Sequence, residues 1–442
     1  MSLPQEYQDR LVYHFTHINN LRDLLKHGLL AKNNSSFHKC AVNNIAEPSI
    51  QSRRATMRVT CGFGGVVHDY VPFYFGSISP MLLAVVNKRN VDQQDIIYFE
   101  YRLSSLIDYE FVFTDASANT EIPPSFFDKL NSLSRLNWEA IDCKKWGAST
   151  YSKNERMAEF LVYDHVPVNA AERIVVWNER IKNKILKIAK ECDAKIPPIE
   201  YESNEHRHYF CDFMNNSDAS CAAGPKETKR VYKNALAKVY DRPSLDDYLF
   251  NNMLHLLSKL RLGMGNLTHT KELIGLKTAN KLHNESVDSH TLAVVKNVKQ
   301  SDLYKELTEE NKNIVELAAY LHDIGKGPSS RWPNRIQKVD QKHPLRAMPM
   351  LVDIFTTQVR EIDENEIITL FKLVCYHDLI GDILGNGRDE KQLFELIESI
   401  DELDMLFCLC KADIDSLYPE WWVKVKADEL YNKAKNVLRR GQ

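Results

Sequence analysis

Ala158-Glu159-Phe160-Leu161-Val162 is an apolar run of strand length that carries a single acid. Alternate residues of a strand share a face, so Glu159 either stands alone in a cleft or looks outward to solvent. Runs of similar length lie on either side of it: Leu11 to Phe15, Val71 to Phe75, Ile96 to Tyr101, Phe111 to Thr114 and Arg173 to Trp177. Helical patterns fall between them, at Asn20 to His27 (closed by Gly28), Phe126 to Leu136 and Glu179 to Glu191. The irregular interleaving predicts an α+β fold and argues against a repeated βαβ winding.

From Leu245 onward helical periodicity takes over. Ile314, Leu317, Ala318 and Leu321 mark one buried face, and Ile367, Leu370, Phe371 and Val374 another. Residues 203 to 225, with Asn215-Asn216-Ser217-Asp218 and Gly224-Pro225, read as the break between the two patterns. The expected organisation is a mixed domain over 1–210, a linker over 211–244 and an all-α domain over 245–442, in keeping with a length of 442 residues. A hydrophobic content of 44% and a charged content of 26% describe a soluble, globular chain. No run of about 18 apolar residues exists, so no membrane span is expected, and the polar first residues lack a signal-peptide core. Nine cysteines without a Cys-x-x-Cys pair point to reduced thiols in a cytoplasmic protein and away from a cysteine zinc site. The net charge of −3 excludes a strongly basic nucleic-acid binder. It divides unevenly: residues 1–245 hold 31 Lys+Arg against 29 Asp+Glu, and residues 246–442 hold 26 against 31. A local basic stripe can still hold a phosphate backbone.

Three segments of the first half belong together. Tyr13-His14-Phe15-Thr16-His17, His68-Asp69-Tyr70-Val71-Pro72-Phe73-Tyr74-Phe75 and the Glu159 run resemble, in order and spacing, the DarT family. These are bacterial ADP-ribosyltransferases that use NAD+ to modify bases of single-stranded DNA. The resemblance covers roughly residues 11 to 210 and implies an ADP-ribosyltransferase-like mixed sheet. Breaking the nicotinamide–ribose bond builds positive charge on the ribose, and a nearby carboxylate stabilises it. The resemblance assigns that catalytic role to Glu159. It makes His14 an NAD+ ligand, with Thr16 and His17 shaping the same pocket, and it suits Tyr74 to stacking on nicotinamide. Read alone, His14 and Tyr74 are better explained as core residues. Ile50-Gln51-Ser52-Arg53-Arg54 resembles the family's Arg-Arg segment and makes Arg54 catalytic, assisting a base ring nitrogen to attack. Arg53 and Arg58 suit backbone phosphates. Gly62-Phe63-Gly64-Gly65, Asn137-Trp138-Glu139-Ala140-Ile141 and Trp146 also match, the last two as packing. The chain departs from the family at Ile122-Pro123-Pro124-Ser125, where a His often precedes the helix expected from Phe126. The implied target is a base of single-stranded DNA, thymine foremost. The implied setting is a toxin or anti-phage effector, with room for a separate antitoxin protein as partner.

Leu321-His322-Asp323-Ile324-Gly325-Lys326 is a second, unrelated motif. Adjacent His and Asp at a helix end offer one divalent metal an imidazole and a carboxylate. The motif resembles the all-helical HD-domain metal phosphohydrolases. That likeness calls for an earlier His and a later Asp, here His290 and Asp413. His343 and His377 sit where two-metal members place theirs, with Asp323 bridging. Two metals about 3.5–4 Å apart would clamp a phosphoryl group, and Lys326 suits a phosphate contact. Mn2+, Fe2+, Mg2+ and Zn2+ are all open. The resemblance implies phosphoester hydrolysis or regulation of the transferase. Two rival readings remain. In one, the HD half is the working metal phosphohydrolase, and the front half modifies RNA or only binds nucleic acid. In the other, the HD half senses a nucleotide and restrains the transferase.

Overall fold

Ten short strands organise the first half of the computed structural model, which describes residues 2–40, 45, 48–118, 123–143, 150–202, 207–210, 222–279 and 285–441. They are β1 (Leu11–His17), β2 (Leu29–Leu30), β3 (Tyr70–Tyr74), β4 (Ile96–Arg102), β5 (Phe111–Thr114), β6 (Phe126–Phe127), β7 (Glu159–Tyr163), β8 (His165–Val166), β9 (Arg173–Val176) and β10 (Ile199–Tyr201). Eight of them form one sheet in the order β10-β9-β4-β1-β3-β7-β5-β6, and β2 pairs with β8 separately. Among the described residues β9–β10 is the one parallel pair of that sheet, so the sheet is mixed and the first half is α+β. The chain separates into two units, 1–87 with 91–215 and 88–90 with 216–442.

The sheet's apolar face carries Phe73, Phe99, Tyr101, Phe113, Phe160 and Ile174, all buried, together with Ile181 and Ile185 of the helix Glu179–Glu191. Asn178 starts that helix by accepting the Ile181 N–H at 3.1 Å. The expected helix over Phe126 to Leu136 is corrected. Phe126 and Phe127 pair with β5, the Phe127 ring stacks on Phe113, and Leu130–Arg135 forms a 3-10 helix. Leu130, Leu133 and Leu136, all buried, are spaced by three residues, the period of a 3-10 helix, and an α reading of short windows cannot separate it from 3.6. Trp146, Cys211 and Cys221 lie outside the described residues.

The pairing at the middle of the sheet is uneven. β1 runs beside β4 through seven residue pairs, Leu11↔Arg102 to His17↔Ile96. β3 runs beside β7 through five, Tyr70↔Tyr163 to Tyr74↔Glu159. Between β1 and β3 only Tyr13↔Tyr74 is in register. Pro72 supplies the reason, because it has no N–H to donate across this seam. Its carbonyl accepts from His14 Nδ1 at 2.9 Å, so a side chain bridges where a ladder bond would have stood.

A buried ionic group ties the end of the first unit to β4. His208 Nε2 meets Glu100 Oε1 at 2.6 Å, its Nδ1 meets Glu202 Oε2 at 3.1 Å, and Arg173 Nε also donates to Glu100. Tyr98 donates its hydroxyl to the His208 carbonyl, and Tyr209 donates to Ile96 O.

The second unit is helical, apart from a short strand pair at Lys277–Thr278 and Ile336–Gln337. Its main helices are Pro225–Tyr240, Met253–Leu262, Val287–Gln300, Glu309–Leu321, His343–Thr357, Glu364–Tyr376, Ile400–Leu417 and Lys424–Gly441. Thr308, Asp363 and Ser399 cap three of them by accepting first-turn N–H groups, with acids following in each first turn. Both expected apolar faces, 314/317/318/321 and 367/370/371/374, are buried in one core. The linker expected over 211–244 differs from the structure over Pro225–Tyr240. There Thr228, Tyr232, Ala235, Leu236 and Val239 bury one helical stripe. Pro225 opens this helix at a position whose N–H needs no partner, so Gly224-Pro225 starts an element instead of breaking one.

Burial alone would push the His208 imidazole down, but the hydrogen bonds and charges of Glu100 and Glu202 raise it above its ordinary 6.5. Its contribution to stability is therefore complete below about pH 6.5 and is lost as pH rises through the folded-state value. His208→Leu is expected to flatten the loss of first-unit stability as pH rises above about 6.5 in denaturant melts. A variant with the wild-type slope would remove His208 from that dependence.

Candidate active site and metal centre

Where β1 and β3 part, a cavity of about 220 Å³ opens, lined by His14, Thr16, Lys32, Arg54, His68 and Tyr74 among others. His14 and Thr16 are two apart on β1 and project to one side. His14 donates through Nδ1 to Pro72 O, which leaves Nε2 as an acceptor. Burial lowers its pKa and keeps it neutral. Thr16 accepts from Asn20 Nδ2 at 2.9 Å. Tyr74 stacks on Phe15, and burial, then the Glu159 charge, hold its hydroxyl protonated. His17 is not among the described lining residues of this cavity. One residue past Thr16, it leaves β1 on the other side, where its Nδ1 accepts the Asn19 N–H and its Nε2 lies 4.0 Å from Asp95.

Arg54 and Glu159, far apart in the sequence, meet in the fold. Arg54 lies on the helix Pro48–Thr56 and turns inward, while Arg53 and Arg58 are exposed. Its Nη1 donates to both Glu159 oxygens, at 2.8 and 2.9 Å. Glu159 is 1% exposed and Arg54 7%, so a carboxylate and a guanidinium are buried together; Arg54 lines the cavity, and Glu159 is not among its described lining residues. Burial opposes the Arg54 charge, but Glu159 outweighs it and raises the pKa. The Glu159 N–H is held by Thr114 Oγ1 at 3.1 Å, which anchors the start of β7.

Sequence reading left two cavity residues without a role. Lys32 follows β2, and His68 sits just before β3, 3.2 Å from Gln51 Oε1 through Nε2. Burial, then the charges of Lys32 and Arg54, lower the His68 pKa to about 4. The glycine run nearby is a tight turn, with Gly62, Gly64 and Gly65 at positive φ and Gly64 O accepting from the Tyr70 hydroxyl.

In the second unit all six expected metal ligands converge, drawn from five helices or their ends. His290 Nε2 lies 3.4 Å from His322 Nε2 and 3.0 Å from Asp413 Oδ1. His343 Nε2 lies 3.0 Å from His377 Nε2 and 3.3 Å from Asp323 Oδ1. Asp323 Oδ2 lies 3.4 Å from both His290 and His322. Two ligand groups, His290/His322/Asp323 and Asp323/His343/His377, therefore share Asp323.

Each of the four imidazoles has its Nδ1 engaged elsewhere. His322 donates to Ala319 O, His377 to Val374 O and His343 to Asp340 O, each at 2.8 Å, and His290 meets Ser416 Oγ at 3.0 Å. That arrangement fixes the tautomer and aims four Nε2 lone pairs inward. Facing lone pairs repel, so the cluster calls for a cation. Asp323 Oδ1, buried and without a hydrogen bond, fits the same demand. Burial would lower the His322 pKa, but Asp323 and Asp413 raise it to about 9. Burial lowers His343 to about 4.

Lys326 donates to Asp323 Oδ2 at 2.6 Å. Gly325 packs where a Cβ would strike the His343 carbonyl and the Ala347 N–H, so the glycine of the motif lets the turn carrying Asp323 approach the helix carrying His343. Asp378, 3.4 Å from His377 Nε2, joins a third group with Asp413. Sequence reading did not single it out, although His377-Asp378 ends its helix as His322-Asp323 ends another.

Residues 13–210 match the family described as ssDNA thymidine ADP-ribosyltransferase, DarT, and residues 287–409 match the HD domain. A DNA ADP-ribosyl transferase of Thermus sp. (strain 2.9) is 37% identical over 194 residues, spanning 42% of this chain and 91% of that protein. One from Thermus aquaticus is 35% identical over 195 residues, spanning 43% and 85%. The solved structure of Thermus sp. 2.9 DarT in complex with ADP-ribosylated ssDNA aligns at 33% identity and a TM-score of 0.42, covering 47% of this chain and 99% of that one. Through its first half the chain belongs to the DarT family, and its second half carries an HD domain.

Removing one partner of a buried ion pair strands the other charge, at a cost of about 3–5 kcal/mol. Arg54→Ala is expected to destabilise the first unit by that order, and adding Glu159→Gln to restore part of the loss. Denaturant melts of the two single variants and the double variant test this, and strictly additive losses would deny the coupling.

Proposed function

We propose that the first half transfers ADP-ribose from NAD+ to a base of single-stranded DNA, thymine foremost. The buried Arg54–Glu159 pair, whose arginine lines the same cavity as His14, carries the reading. His14, through its Nε2 acceptor, holds a ribose hydroxyl, and Thr16 and Tyr74 shape the nicotinamide end. Glu159 stabilises the positive charge that develops as the glycosidic bond breaks and nicotinamide leaves with its electron pair. Arg54 favours the deprotonated ring nitrogen, which forms the new bond to the ribose. An unpaired base exposes that nitrogen, which accounts for single-stranded substrate. The names of the relatives and of the matched family support this chemistry.

The second half, in this reading, holds two divalent ions, one on His290, His322, Asp323 and Asp413 and the other on His343, His377 and Asp323. It hydrolyses a phosphoester, and Lys326 meets the phosphate. When bound, the metal pair supplies an activated water and charge stabilisation. The protein acts as a cytoplasmic toxin or anti-phage effector, with a separate antitoxin as partner. Among the described residues no helix is long and apolar enough to cross a membrane.

Incubation with NAD+ and a mixed single-stranded oligonucleotide is expected to add one ADP-ribose to the DNA by intact mass, and Glu159→Ala to abolish the adduct. An oligonucleotide left unmodified with NAD+ intact would refute the transferase reading. Elemental analysis is expected to find about two divalent ions per chain, with both lost in Asp323→Ala and one lost in His343→Ala. Full metal content in Asp323→Ala would refute the shared ligand.

A further inference from the structure

NAD+ carries an anionic diphosphate, and a cationic side chain facing the cavity is one way to hold that group. The described lining of the cavity offers two, Lys32 and Arg54. His14 and His68 are both held neutral by burial, so neither supplies charge. Arg54 is committed: its Nη1 donates to both oxygens of Glu159. Lys32 is uncommitted, since among the described residues no carboxylate lies within ion-pair distance of it.

The backbone around Lys32 is fixed from both sides. The Ala31 N–H donates to Asp164 O at 2.8 Å, and Asn34 Nδ2 donates to Asp164 Oδ1 at 2.6 Å. The β2–β8 pair, Leu30↔His165, holds the preceding residues against the same segment. Burial, then the Arg54 charge, lowers the Lys32 pKa, and a bound anion would relieve the repulsion from Arg54.

We propose that Lys32 binds the diphosphate of NAD+ and sets the cavity's preference for ligands that carry one. The assignment rests on the cavity being an NAD+ site. A phosphate of the DNA strand is the other anion within the same chemistry, and the test separates the two.

Calorimetric titration of the full chain with NAD+, ADP, adenosine and a single-stranded oligonucleotide reads the assignment directly. Wild type is expected to prefer ADP over adenosine by about tenfold or more, the scale of a charge-assisted contact. Lys32→Met should weaken NAD+ and ADP by that factor and leave adenosine within about twofold, while Lys32→Arg keeps most of the preference. Two outcomes overturn the assignment. Equal weakening of adenosine would mean that Lys32 only packs the cavity, and weakening of the oligonucleotide alone would place it on the strand. A wild-type chain that binds no NAD+ refutes the NAD+ reading itself and removes the basis of the assignment.

Discussion

One missing donor shapes the first half of this protein. Pro72 sits in the strand that faces β1, and it cannot give the hydrogen bond that would close the middle of the sheet. The sheet stays whole because β1 is secured along its length by β4, and β3 by β7. The cavity at the parting is thus a built feature, held open by a proline and edged by the histidine that answers its carbonyl. Glu159 lies directly across from Tyr74 on the next strand, so the parting and the carboxylate are set by one register.

Both units use the same device to prepare an imidazole. A carbonyl or hydroxyl oxygen takes Nδ1, and Nε2 is left to face the site. In the first unit this makes His14 a neutral acceptor at the cavity wall. In the second it turns four histidines on separate helices toward a shared aspartate. Helix ends serve this purpose well: His322 and His377 each bond the carbonyl three residues back, so the last turn of the helix orients its own ligand.

The two halves carry charge differently. The first buries an ion pair and a His208 group bonded to Glu100 and Glu202, each matched within hydrogen-bond distance. The second gathers three carboxylates and four histidines with one ammonium, Lys326, bonded to Asp323 among them. Buried matched pairs add little net stability, because desolvation offsets their attraction, and removing one partner costs much.

Strand lengths and helix starts were largely legible in the sequence, because they follow from period-2 and period-3.6 patterning and from caps such as Asn178, Thr308 and Asp363. The helix Pro225–Tyr240 was hidden behind Gly224-Pro225, and the 3-10 helix near Leu133 behind a period too close to 3.6. The motif residues announced themselves by type: a lone acid in an apolar strand, and His beside Asp at a helix end. Tertiary structure alone decided the rest, because it brings together residues far apart in the chain. It put Arg54 on Glu159 across 105 positions, sent His17 to within 4.0 Å of Asp95, left Lys32 without a carboxylate at ion-pair distance among the described residues, and set Asp378 beside His377 and Asp413. Local sequence determines which face a side chain leaves by; only the packed fold determines what it meets there.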